Sequence, residues 1–277
     1  MSLPRVMIGG PIRDREWSVS LWLGGLLGLD YPKHLLSLVI LVNDSTDGTL
    51  PACQWWAERA LDEGYARAEV IVHNRGTVVD NNARRGNRDY LAYAVLRDMW
   101  VAQRRDEEWL FSVDSDIQVP RHMLQGLAGF AQRDGYALLA GVIENNWAPA
   151  VEHATNVLVS DGEGQAHHSK HAFIGRELEP RPCVLTGACC VINPVVFDAG
   201  ISYTDPTKPG VPEDNIFCQR LLQAGLKIGY VPGLRATHWH RQPVDTDWMQ
   251  QPDWWERQAA YAQFRGAQPA MLREVTA

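Results

Sequence analysis

Leu38-Val39-Ile40-Leu41-Val42 is apolar at every position. A strand with one face in water alternates polar and apolar residues, so an unbroken run reads as a strand covered on both faces. It passes directly into Asn43-Asp44-Ser45-Thr46-Asp47-Gly48, a turn-forming cluster rich in helix-capping side chains, and then into a helical stretch to about residue 62. The same alternation recurs on either side. Residues 5–8 form a short strand ending in Gly9-Gly10-Pro11, and residues 17–29 a helix closed by Tyr31-Pro32. Strands follow at 68–72, 109–113 and 137–143, with helices at 87–104 and 123–132 between them. This spacing gives βαβ units, hence an α/β chain with a Rossmann-like, mostly parallel central sheet flanked by helices. Right-handed crossovers put the loop after each strand on one edge, so residues 10–14, 43–47 and 114–116 are expected to share a crevice.

The second half is less regular. Residues 145–175 are polar, carry Gly162 and Gly164, and read as a mobile loop. Residues 182–196 are apolar around Gly187, and 202–212 hold three Pro and a Gly, a loop that orders only with help. A helix is expected at 213–224, strand-like segments at 228–231 and 236–240, and a Trp-rich helical tail at 248–271. At 45% hydrophobic and 21% charged residues the chain is an ordinary globule, not a disordered one. A net charge of -7 argues against a protein that coats nucleic acid, and no nucleic-acid partner is expected. No transmembrane segment is expected, because the most apolar stretch, 183–201, is broken by Asn193, Pro194 and Asp198. The N-terminus shows no secretory leader pattern; the five Cys form no CxxC motif, and the adjacent Cys189 and Cys190 in an apolar run read as buried thiols of a reducing, cytoplasmic compartment.

Three groups of residues carry chemistry. Asp114-Ser115-Asp116 follows an apolar strand, and two carboxylates at i and i+2 of a strand end can hold Mn²⁺ or Mg²⁺ together with phosphate oxygens. A solvated turn would look the same. Glu213-Asp214 opens a helix, where acids complement the dipole and need no further role. The alternative is a general base that deprotonates an acceptor hydroxyl. His238 and His240 share one face of an extended segment and can complete a metal shell, or simply pack. Arg84, Arg85 and Arg88 form a basic cluster able to offset a diphosphate's charge, or a solvated face. His167, His168 and His171 look metal-like, but their polar, Gly-containing surroundings favour the loop. Trp248, Trp254 and Trp255 suit either sugar stacking or packing.

Taken in order, these motifs resemble the GT-A fold glycosyltransferases, close to the family 2 pattern. The resemblance rests on VILVNDSTDGT at 39–49, the triplet 114–116, TGACCVINPVVFDAGI from Thr186, PEDNIFCQRLLQAGLKIGYVP from Pro212, and THWH ending at His240. It covers about residues 6–240. It implies a catalytic domain over 1–240, with the nucleotide-sugar half at 1–116 and the acceptor half at 117–240, and a C-terminal helical or lid segment at 241–277. It implies that Pro11, Arg13 and Asp44 border the base and ribose, that Asp116 ligates the metal, and that Asp114 faces the ribose or a metal-bound water. Asp214 becomes the general base beside Glu213. His238, six residues after Pro232, becomes the remaining metal ligand in preference to His240. Ser115, Gly187, Arg84 and Arg88 complete the expected donor-binding set. The partners implied are a UDP- or GDP-sugar and a glycan or small glycoconjugate acceptor.

Two departures matter. NDSTDG is one residue shorter than the usual DDGSTDG turn, and together with the residues ahead of it also resembles the fungal mannan-polymerase mannosyltransferases, which retain anomeric configuration. Inversion is the expectation, with retention open. The QxxRW signature and membrane helices of processive synthases are missing, so a single-addition transferase is expected. A nucleotidyltransferase would need a GxGTRxxPxTxxxPK loop, and Gly9-Gly10-Pro11-Ile12-Arg13-Asp14 lacks its Thr-Arg. A non-catalytic carbohydrate-binding scaffold would have no use for both acidic pairs.

Overall fold

The structure is a computed structural model that describes residues 3–76, 90–145, 154–160, 166–170 and 174–239. In chain order the elements are β1 (Val6–Ile12), α1 (Glu16–Leu27), β2 (Leu36–Asn43), α2 (Thr49–Asp62), β3 (Arg67–His73), α3 (Tyr90–Val101) and β4 (Trp109–Val113). There follow β5 (Ile117–Gln118), α4 (Met123–Asp134), β6 (Leu138–Asn145), β7 (Ala154–Ser160), β8 (Ala166–Lys170), β9 (Arg181–Pro182), β10 (Cys189–Ile192), α5 (Val195–Asp198), α6 (Glu213–Gln223) and β11 (Ile228–His238).

The main sheet runs β3-β2-β1-β4-β10-β6-β11-β5, with β9 on β11. The expected parallel order holds across β3-β2-β1-β4. Beyond β4 the sheet is mixed, since β10 lies antiparallel between β4 and β6 while β11 pairs parallel with β6. The apolar run of β2 does what its composition requires. Leu36, Leu38, Ile40 and Val42 enter one buried cluster, with Trp22 and Trp56 of α1 and α2, while Val39 and Leu41 enter the other, with Trp100 and Phe217 of α3 and α6.

Several boundaries differ from the expectations. β1 does not stop at its glycines but continues to Ile12. Gly9 has φ +130, and a Cβ there would strike the Val39 carbonyl, so glycine is what keeps this stretch in the sheet. α3 ends at Val101, three residues early. The two strand-like segments at 228–231 and 236–240 are one strand, bulged between Val231 and Arg235, because both arms pair with β6. The polar stretch 145–175 is not simply a loop. β7 and β8 form an antiparallel ribbon that sets His167 across from Val159 and His168 across from Leu158.

His171, His240, Arg84, Arg85, Arg88 and the Trp-rich tail lie outside the described residues. All five Cys are buried free thiols, and no described helix is long and apolar enough to cross a membrane.

Candidate functional site

β1, β2 and β4 are parallel and end at one edge, where the loops 13–15, 44–48 and 114–116 begin. Because β10 runs the other way, its start lies at that same edge, with Cys189 opposite Val113. That brings Gly187 to the site, which parallel addition would have placed at the far edge.

The first two loops are latched together. Asp14 and Asp44 both adopt left-handed backbone, with φ 44 and 45, a conformation that Asp tolerates better than most residues. The Thr46 amide donates to Asp14 Oδ1 at 2.8 Å, the Arg15 amide to Thr49 Oγ1 at 2.8 Å, and the Gly48 amide to Glu16 Oε2 at 3.0 Å. Arg13 turns back to Asp14 Oδ2 at 3.4 Å, and Pro11 is half-buried at the end of β1. Asp44 Oδ1 accepts from the Gly76 amide at 3.0 Å, while its buried Oδ2 meets no donor among the described residues.

The acidic triplet is fixed through its backbone. The Asp114 amide donates to Ala188 O at 2.8 Å, Ser18 Oγ to Ser115 O at 2.9 Å, and the Trp239 amide to Asp116 O at 2.8 Å. The two carboxylates then part company. Asp116 Oδ1 lies 3.4 Å from His238 Nε2, and its Oδ2 lies 3.4 Å from Arg15 Nη2. Asp114 Oδ1 instead accepts from Arg97 Nη2 at 2.7 Å. Burial holds the Asp114 carboxyl above its ordinary value, with Arg97 opposing and Asp116 adding to the shift. An oxygen and an imidazole nitrogen from Asp116 and His238 thus converge, a donor set that suits Mn²⁺ or Mg²⁺. Among the described residues no third His, Cys, Asp or Glu completes a cluster with them.

The second acidic pair opens α6 directly after Pro212. Glu213 Oε1 accepts from Arg97 Nε at 3.2 Å. The Asp214 carboxylate packs against Gly187, where a Cβ would overlap both its oxygens. Burial pushes the Asp214 carboxyl up to about 7; Arg97 opposes the shift, and Glu213 and Asp114 add to it. The loop 202–212 is ordered by side chains outside it. The Tyr203 and Thr204 amides donate to Asp98 at 2.9 Å each, and Arg220 Nη1 donates to Ser202 O and Thr204 O at 2.8 Å each.

Three residues at this site escape the sequence reading. Arg15 sits beside Asp116. Asn156 on β7 donates to Gly141 O at 3.0 Å and Gly187 O at 3.1 Å, pinning the turn that faces Asp214. Arg97 bridges the two acidic pairs, and its only sequence signal is a charge within the stripe Ala94, Arg97, Trp100, Val101. Gly187→Ala is expected to displace the Asp214 carboxylate, and any catalysis that depends on that group should fall at least about tenfold, given how steeply rate depends on placement. Steady-state kinetics beside a melting curve separates that effect from unfolding.

No protein-family model matches the sequence, and none of the curated proteins matches it. The structure has the GT-A glycosyltransferase fold, a curled α/β sheet flanked by helices. It is similar to S. aureus TarS. The structure of TarS residues 1–349 with UDP superposes with a TM-score of 0.57 at 14% identity, over 85% of this chain and 60% of that one. The complex of the same TarS fragment with UDP-GlcNAc gives 0.56 at 13% identity, over 94% of this chain and 66% of that one. The chain therefore spans less than two thirds of the length of these relatives.

Proposed function

We propose that this protein transfers a sugar from a nucleoside-diphosphate sugar to an acceptor hydroxyl. The observation that carries the reading is a carboxylic acid, Asp214, raised to about 7 at the sheet edge where Asp116 and His238 also meet. A group titrating near neutral pH is suited to general-base work, and a carboxylate serving only as a helix cap would be held ionised instead. The GT-A fold and the UDP and UDP-GlcNAc complexes of TarS favour a UDP-sugar as donor.

In this reading residues 1–116 hold the donor and 117–240 the acceptor. Asp116 and His238 would hold Mn²⁺ or Mg²⁺, which when bound would offset negative charge on the leaving diphosphate. Asp14 and Thr46 fix the loops that border the nucleoside, and Asp44 and Arg13 face it. The acceptor is a glycan or small glycoconjugate whose hydroxyl proton passes to an Asp214 oxygen, and the reaction inverts. Tyr203 and the loop around it shield the centre from water and so suppress donor hydrolysis.

A melting-temperature screen with UDP, GDP, ADP and their sugar conjugates, each with and without Mn²⁺, tests this reading. A ligand at a hundred times its Kd stabilises the folded state by about 2.7 kcal/mol, so UDP is expected to raise the midpoint by several degrees. Conversion of a UDP-sugar to UDP should follow. If no nucleoside diphosphate shifts the midpoint and no sugar nucleotide is consumed, the reading is wrong.

A further inference from the structure

Arg97 is buried on α3, whose other buried residues, Ala92, Ala94, Leu96, Trp100 and Val101, are all apolar. A guanidinium in such surroundings persists only where its charge and donors are met. Here the donors are met by three side chains. Nη2 donates to Asp114 Oδ1 at 2.7 Å, Nε to Glu213 Oε1 at 3.2 Å, and Nη1 to Ser112 Oγ at 3.3 Å. The plane lies over the Tyr203 ring, 5.6 Å from its centre.

The two acids it joins belong to opposite halves of the site. Asp114 stands two residues before Asp116, at the end of β4. Glu213, 116 positions from Arg97 in sequence, stands beside Asp214 at the start of α6. Stability alone does not call for such a bridge, because well-packed apolar residues commonly serve a buried site as well as an ion triad does. We propose that Arg97 is the positioning residue of this centre, a rigid fork that fixes the donor-side loop 114–116 against the acceptor-side helix start 213–214. It touches neither donor nor acceptor in this assignment. Its consequence for catalysis rests on the glycosyl-transfer reading, but its geometry does not. Lys cannot replace it, because one ammonium lacks the planar fork that reaches both carboxylates.

The experiment uses the full chain carrying R97K or R97Q and reads melting temperature, donor KM and kcat for UDP-sugar turnover. A misplacement of about 1 Å can cost about 100-fold in rate. R97Q is expected to lose at least about 100-fold in kcat with donor KM within about threefold, and R97K about tenfold. Should R97Q fail to fold, R97K carries the comparison. If either variant melts earlier yet its folded fraction turns over at the wild-type rate, Arg97 is only structural and the proposal is overturned.

If the wild-type chain consumes no nucleotide sugar, the functional reading fails, and carboxyl ¹³C titration of Asp214 still decides the placement of Arg97. Asp214 is faced by Arg97 of α3, Asp114 after β4, Glu213 and the Cys218 thiol of α6, the Cys190 thiol of β10 and the Tyr203 hydroxyl. Removing the one cation in this set must move the Asp214 titration to higher pH in R97Q. An unmoved titration overturns the proposal.

Discussion

Asp214→Asn is expected to lower kcat by about 10²–10⁴-fold while leaving UDP binding within a few-fold of wild type. The amide keeps the shape that fits against Gly187 but cannot accept a proton. Wild-type kcat/KM should rise with pH through about 7, as Asp214 loses its proton, and the residual activity of the variant should lack that limb. Stability should move the opposite way. Asp214 titrates at about 7 in the folded chain and at its ordinary 3.8 when unfolded, so between these values only the folded state holds the proton. The contribution of Asp214 to wild-type stability therefore falls as pH rises from about 4 to about 7 and then levels off. Asn carries no charge to desolvate, so the variant should melt level with wild type near pH 4 and above it at pH 8. A variant that is less active and more stable at pH 8 is the signature of a group kept for function against its own folding cost. Unchanged kcat, or equal melting at pH 8, removes Asp214 from the role of base.

What was legible in the sequence follows from which forces are local. The apolar run of β2 and the turn chemistry after it announce a doubly covered strand whatever surrounds them, and the parallel half of the sheet follows. Strand direction is not local. Cys189-Cys190-Val191-Ile192 reads as a short apolar run, and nothing in it says that it inserts antiparallel between β4 and β6. β7 and β8 were illegible for a related reason. Gly162, Gly164 and the polar residues around them read as loop in the sequence, and the ribbon exists because β7 and β8 pair with each other.

Among site residues the same division holds. Asp116, Asp214 and His238 stand in short motifs at element ends, where sequence is most readable. The structure also shows Asp114 and Asp116 facing different partners, although i, i+2 spacing suggested a shared direction. Their divergence is set by Arg97 and by the pairing of His238 with Ile117, contacts that no local spacing encodes. A buried Arg such as Arg97 becomes conspicuous only when the residues that neutralise it are seen, and Arg15, which is partly exposed, is marked by its ion pair with Asp116.

If Asp116 and His238 hold a divalent cation as proposed, its contribution is separable from that of Asp214. Asp116→Ala removes the carboxylate shared by His238 and Arg15 and leaves the side chains of Arg97, Glu213 and Asp214 in the chain. With Mn²⁺ present, the variant should bind UDP no more tightly than wild type does in a chelator. Its turnover should fall by about 10²–10³-fold, the scale on which a group that offsets developing charge contributes. His238→Ala should fall between the two, since a carboxylate oxygen remains for the ion. The Asp116→Ala defect should persist at any Mn²⁺ concentration, whereas that of His238→Ala should shrink as Mn²⁺ is raised, because weakened binding yields to mass action and a missing charge does not. Calorimetric titration of UDP into both variants, with and without Mn²⁺, reads these differences directly. Wild-type turnover in Asp116→Ala, indifferent to Mn²⁺, would show that the charge of the leaving diphosphate is met elsewhere on the chain.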